Sequence, residues 1–373
     1  MMQNDSVRTA ISKAKDPRTC ARELRAALGG MTPVFVLFFA TPSLDPKALG
    51  EALREELGDI PSIGCTTSGE IGQGQMLSDS VVLLGLGSGC LKSAQVGVID
   101  AAADAAEVQR AVVSLAGAFG QAPARLDPSQ YVGLVLHDGL SLSEERVMAA
   151  LTELTNVPFV GGSAGDALAF RGTHVFHNFE AHPGKTVLAL LEPQRPYRVL
   201  KTQSFEVLSK VLVATRVDEA SRRVIEFNGR PAAGEYVDQL GISLADAVAH
   251  FRRNPVGIVM PDGAPFVRSP MRIDGGDMVF YCQIKEGMEL SLLSSGDIVA
   301  QTAKDLNECL GEMGGASAII NFHCILRTLQ LESEGHSAEY AAIFEKLPAV
   351  GFSTYGESYI GHMNQTSTML LLG

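Results

Sequence analysis

The chain has 373 residues, 46% hydrophobic and 19% charged, which suits two globular cores and argues against disorder. Its formal net charge is −12, and Arg222-Arg223 and Arg252-Arg253 are isolated pairs, so no basic stripe exists to neutralise a phosphate backbone and nucleic acid is excluded as a partner. No apolar run reaches the length of about 18 residues a membrane helix needs, and residues 1–8 lack an apolar signal core, so the sequence predicts a cytoplasmic chain without membrane insertion.

Residues 7–29 read as an N-terminal helical arm, with Ala21, Leu24 and Leu28 at helical spacing and Gly29-Gly30 as the stop. The run 34–40 reads as a buried strand. Asp45 then caps a helix with Pro46 in its first turn, and Ala48, Leu49, Ala52, Leu53 and Leu57 form the buried face up to Gly58. A Pro-x-x-Gly segment follows, leading into the small-residue turn Gly64-Cys65-Thr66-Thr67-Ser68-Gly69-Glu70, and a further strand comes at 80–86.

This unit recurs. A second copy has a strand at 131–137, a helix near 143–154, Gly161-Gly162-Ser163-Ala164-Gly165-Asp166 and a strand at 185–191. A third has a strand at 316–325, a polar loop, a helix near 338–346, Gly351-Phe352-Ser353-Thr354-Tyr355-Gly356-Glu357 and a strand at 367–372. Between them, residues 196–224 alternate in strand fashion, and 225–310 hold helices near 231–240 and 298–312 with strands at 256–260 and 278–284. The expected fold is α/β: mixed sheets layered with helices, built from three β-α-β units in two tightly packed domains. The expected divisions are an arm over 1–29 and domains over 30–222 and 223–373.

The three turns sit at strand ends, where open α/β sheets bind ligands. Gly64, Gly69, Gly161, Gly351 and Gly356 permit unusual backbone, and Cys65, Thr66, Thr67, Ser163 and Ser353 with Glu70, Asp166 and Glu357 offer polar contacts. The same pattern also suits purely structural turns held by hydroxyl-to-backbone bonds. Gly161-Gly162-Ser163-Ala164-Gly165 matches the Gly-x-Ser-x-Gly nucleophile elbow, but a helix must follow the serine and the residues here run toward a strand, so no catalytic residue and no enzyme activity is assigned. Six scattered cysteines form no Cys-x-x-Cys pair, against zinc, cluster and thioredoxin chemistry. Among eight histidines, His174, His177 and His182 form the densest group, and His177 and His182 could approach across a hairpin. His323 beside Cys324, with Arg327 three residues on, and His362 near Asn364 are secondary candidates; on a continuing strand Arg327 would face away from Cys324.

These turns, with Glu226-Phe227-Asn228-Gly229-Arg230-Pro231, Asn321-Phe322-His323-Cys324-Ile325-Leu326-Arg327 and His362-Met363-Asn364-Gln365-Thr366, resemble the FIST N and FIST C domains in order, over about residues 30–373. Asp16-Pro17, Asp138-Gly139-Leu140-Ser141 and Thr173-His174-Val175-Phe176-His177 are most similar to the branch of haem-binding nitric oxide sensors called NosP. That resemblance implies a cytosolic signal-transduction protein carrying haem b on a histidine, His177 first, then His182 and His174. It also implies a gas or small-molecule ligand, output by contact with a histidine kinase, another signalling protein or a cyclic-di-GMP pathway, and room for a homo-oligomer. A FIST module for a non-haem molecule such as an amino acid is the second expectation, and a Ser or Cys hydrolase the third.

Overall fold

A computed structural model describes residues 6–261 and 263–373. Contacts divide the chain into two compact units. The first comprises residues through Thr202, Ala303–His362 and Ser367–Gly373; the second comprises Gln203–Thr302 and Met363–Thr366.

The first unit is three copies of one longer repeat. Copy one runs β1 (Val7–Ser12), α1 (Pro17–Leu28), β2 (Phe35–Ala40), α2 (Pro46–Leu57), β3 (Ser62–Thr66), the hairpin β4 (Glu70–Gly72) and β5 (Gln75–Leu77), and β6 (Val81–Leu86). Copy two has the same order: β7 (Leu91–Asp100), α3 (Ala105–Ala118), β8 (Val132–His137), α4 (Glu144–Leu154), β9 (Phe159–Ser163), the hairpin β10 (Val175–His177) and β11 (Glu180–His182), and β12 (Lys185–Pro193). Copy three begins with β13 (Tyr197–Thr202) and is then interrupted by most of the second unit.

That insertion holds β14 (Phe205–Asp218), β15 (Arg223–Phe227), β16 (Arg230–Pro231), α5 (Ala232–Leu240), α6 (Ala247–His250), β17 (Val256–Val259), β18 (Pro265–Arg268), β19 (Pro270–Asp274), β20 (Asp277–Phe280) and β21 (Glu289–Ser295). Its strands pair antiparallel around Leu212, Phe227, Tyr236, Phe280 and Leu290, a core of its own. Copy three resumes with α7 (Ile298–Met313), β22 (Ala318–Cys324), α8 (Ile325–Glu334), α9 (Ser337–Ala342), β23 (Ala349–Thr354), β24 (Glu357–Tyr359), β25 (His362–Met363) and β26 (Ser367–Leu372).

The fold is therefore the mixed α/β architecture the periodicity predicts. The two strands flanking α2, α4 and α8 pair parallel, as β2–β3, β8–β9 and β22–β23. The three sheets have equivalent orders: β1-β6-β2-β3-β10-β11, β7-β12-β8-β9-β24-β25 and β13-β26-β22-β23-β4-β5. Each turn thus hands its hairpin to another copy's sheet: β4 to β23, β24 to β9 and β10 to β3. The exchange closes a ring, and the inward faces share one apolar core that includes Phe39, Val82, Leu134, Val187, Phe322 and Phe352. Helices cover the outer faces: Leu24 and Leu53 lie over the first sheet, Val112 and Val147 over the second. Burying three sheets on one another supplies the apolar area that a single copy lacks.

Local chemistry sets the element starts. Asp16, Asp45 and Asp104 each accept the backbone N–H three residues on at 2.8 Å, capping α1, α2 and α3. Two expectations are corrected. Residues 7–12 are not helical: Val7–Ser12 pair antiparallel with Leu86–Val81, so the helix begins only at Pro17. The stretch after Cys324 is not a polar loop but α8, whose buried face includes Ile325, Leu326 and Leu331 and which ends at left-handed Gly335 (φ 78°). No helix among the described residues is long and apolar enough to cross a membrane.

Candidate functional site

The three turns are brought together by the strand exchange. The Ser353 N–H donates to the Gly69 carbonyl (2.8 Å) and the Ser68 N–H to the Ser353 carbonyl (3.3 Å). One copy round, the Ser163 N–H donates to Gly356 (2.9 Å) and the Tyr355 N–H to Ser163 (3.2 Å). At the third junction the Gly165 N–H donates to Thr66 (2.9 Å). Thr66, Ser163 and Ser353 are therefore equivalent positions. The glycine two residues before each is a packing requirement: a Cβ at Gly64, Gly161 or Gly351 would stand 2.6, 1.7 or 2.2 Å from a neighbouring strand's carbonyl oxygen. Gly356 instead makes room for the His362 imidazole, and Gly69 adopts φ 124°.

The acids after the turns differ. Glu70 is buried; it accepts from Thr67 Oγ1 (2.5 Å) and from Ser80 Oγ (2.6 Å), and burial pushes its carboxyl up to about 7 against those bonds. Glu357 is fully buried. Asp166 accepts from the Tyr355 hydroxyl (2.5 Å) and from the N–H groups of Phe170 (2.9 Å), Arg171 (2.6 Å) and Gly172 (3.1 Å). Burial would raise its carboxyl, but those four donors together hold it below the ordinary range. Cys65 is buried and its thiol is raised well above normal by burial, and Cys324 is buried too. Ser163 Oγ donates to Glu144 Oε1 (2.9 Å) and is fully buried, and the segment after it runs as loop to β10, not as the helix an elbow needs.

A buried polar cluster lies on the helix-facing side of the third sheet. His323 and Asn321 share that face, in register with Ser353 and Gly351 on one side and with Ser367 and Met369 on the other. Asn321 Nδ2 donates to the Tyr340 hydroxyl (3.1 Å) and its Oδ1 accepts from Ser367 Oγ (2.7 Å). Ser353 Oγ lies 2.8 Å from Thr328 Oγ1. His323 is 0% exposed, its ring 4.5 Å from that of Tyr340, and neither ring nitrogen has a hydrogen-bond partner among the described residues. Arg327, 1% exposed in the first turn of α8, has its guanidinium carbon 6.0 Å from the same tyrosine ring. Burial first, and then the Arg327 charge, depress the His323 pKa well below normal, so the imidazole is neutral. An unpaired buried imidazole is costly, on the order of 1–3 kcal/mol, unless something completes it.

Sequence reasoning missed His137, which occupies in copy two the place of His323: it is in register with Ser163 and Thr186, and its Nδ1 lies 3.2 Å from Thr186 Oγ1. The signal was present, since both apolar runs, 132–137 and 318–323, close on a histidine. Glu144, Thr328 and Tyr340 were also missed, because their partners lie on other elements.

The remaining candidates lie elsewhere. Asn364 is in the second unit, where Cys282 Sγ donates to its Oδ1 (2.5 Å). His174 is half-buried and its N–H donates to Thr66 Oγ1 (3.0 Å). His177 and His182 do meet across the β10–β11 hairpin, ring centroids 6.5 Å apart, with burial holding His177 below its ordinary pKa. A cleft of 280 Å³ at that hairpin is lined by Arg54, Ile60, Pro61, Val96 and Phe179 among others, and by neither histidine. Pockets that enclose drug-sized ligands run from about 300 to 1,000 Å³. The cleft falls just under that range. No group of three or more His, Cys, Asp or Glu among the described residues could hold a metal ion.

Comparison with known proteins completes the picture. The model of the FIST N domain matches residues 34–230 and that of the FIST C domain residues 232–359. No curated protein matches the chain. Among solved structures, a cyanuric acid hydrolase from A. caulinodans is 12% identical over 51% of this chain and 70% of its own, with a TM-score of 0.30.

Proposed function

The chain belongs to the FIST family, sensory modules of signal transduction that bind small ligands, and from that premise we propose that its ligand is a small polar molecule bearing a carboxylate, taken up by the His323–Arg327–Ser353 cluster without covalent chemistry. The observation that carries this reading is the fully buried His323 with both ring nitrogens unpartnered beside a buried arginine. Arginine is the side chain best shaped for a carboxylate, and a neutral imidazole supplies both a donor and an acceptor. An amino acid meets that chemistry. Haem, which the resemblance implied, is not part of this proposal, whose observations lie at His323 and Arg327, on a different sheet from His177 and His182. Output then arises from a partner protein that distinguishes the occupied from the empty form.

The test is thermal denaturation of the purified chain against amino acids and small dicarboxylates. A ligand at about a hundred times its Kd adds roughly 2.7 kcal/mol, so a hit raises the midpoint by several degrees. Arg327→Lys and Ser353→Ala should abolish that rise while leaving the ligand-free midpoint within a few degrees. A hit whose shift survives both substitutions sinks the site assignment. A Soret band that moves with nitric oxide in protein from iron-fed cells overturns the reading and restores haem.

A further inference from the structure

A second cavity lies at the other end of the first unit. It measures 830 Å³ and opens where the parallel strands begin, with Pro158 leading into β9 and Ser317 into β22. Arg195, two residues before β13, and Arg198, its second residue, are both exposed, and neither guanidinium has an ion-pair or hydrogen-bond partner among the described residues. Glu312 is the one acidic side chain among the lining residues, which also include Gly373. In a chain of net charge −12, two arginines without ion-pair partners lining one cavity with a single acidic side chain are a local excess of positive charge. Such an excess concentrates anions.

Size and lining narrow the anion. The volume far exceeds what one inorganic ion fills and falls within the range of about 300–1,000 Å³ for organic ligands. Two tyrosines contribute to the wall. The Tyr197 hydroxyl donates to the carbonyls of Pro128 and Tyr131 (2.8 Å to the latter), which holds its ring rigid, and Tyr359 stands at the end of β24. A planar heterocycle can lie against a fixed aromatic ring while the arginine forks take up phosphate oxygens. We infer that this cavity binds a phosphorylated small molecule of nucleotide size, at a site separate from the His323 cluster. The chain would then integrate two signals.

Equilibrium dialysis of the whole protein with ADP and with GDP tests this. Saturable binding of either, weakened at least tenfold in the Arg195→Ala/Arg198→Ala double variant and several-fold by raised salt, is the expected result. Adenosine and guanosine, lacking phosphate, should bind at least tenfold more weakly. Absence of binding to both nucleotides at millimolar concentration overturns the inference, as does a double variant that binds normally. The arginines could instead merely guard an edge strand against pairing. In that case the variant changes its oligomeric state by light scattering while nucleotide binding is absent or unaltered, which also overturns it. A carboxylate ligand of the His323 cluster should not displace the nucleotide, so either proposal can fail alone.

Discussion

Glu70 shows what a single side chain costs in this fold. Its ordinary value is 4.5, and burial raises it to about 7 although Thr67 and Ser80 donate to it. Below pH 4.5 the folded and unfolded chains both carry the proton. Between 4.5 and 7 the folded form keeps a proton that the unfolded chain has shed, so stability is lost as pH rises through that window and is level above it. The difference amounts to at most about 3 kcal/mol. Glu70→Gln, neutral throughout, should therefore gain on the parent by up to that amount between pH 5 and 8, measured by urea denaturation. A difference that stays constant with pH would contradict the assignment. Glu70 and Ser353 were legible as candidates from the recurring turn, and His323 and Arg327 from their place around Cys324. Tyr340 was not, since only the packing of α9 over β22 brings its ring 4.5 Å from His323.

The loop between β9 and β10 is the element that departs most from its counterparts. Copies one and three turn directly into their hairpins, whereas copy two spends residues 164–174 on the passage. Ala167, Leu168 and Phe170 all adopt positive φ (55°, 64° and 51°), a conformation unfavourable for side chains of this bulk. Asp166 and Tyr355 hold them there: the carboxylate gathers the N–H groups of residues 170–172, and the Tyr355 hydroxyl accepts from Leu168 (2.9 Å) while donating to Asp166. Tyr355→Phe should cost about 1.5–3 kcal/mol, the worth of a hydrogen bond to a charged group. It should also speed hydrogen exchange at the Leu168 and Phe170 amides, with the core strands β8 and β12 unchanged. Equal protection of the loop in the variant would show that its strain is held by something else. A strained loop anchored from another copy's tyrosine has no periodicity to betray it in the sequence.

For the whole molecule, the repeat is longer than the sequence suggested. Each copy also owns a leading strand and helix, β1–α1, β7–α3 and β13–α7, and the third is split by the insertion after Thr202. The insertion leaves and rejoins the first unit at neighbouring points, since Thr202 Oγ1 donates to Asp305 Oδ2 at 2.5 Å. With its own core around Phe227, Tyr236 and Phe280, it should be removable. A chain with residues 204–297 replaced by a short Gly/Ser linker should melt cooperatively and keep the far-ultraviolet circular dichroism of the three-copy unit. Loss of the cooperative transition would mean the insertion is integral to that unit. The α/β class, the three turns and several helix starts could be read from the chain because they depend on local causes: the Asp45 cap, glycine stops and apolar periodicity. The exchange of hairpins among sheets, the pairing of His137 with Ser163 and of His323 with Ser353, and the cavity at Arg195 and Arg198 could not. They arise only where separate strands bury a common core, the exchanged hairpins coming from more than a hundred residues away, and no local pattern records which sheet a strand will join.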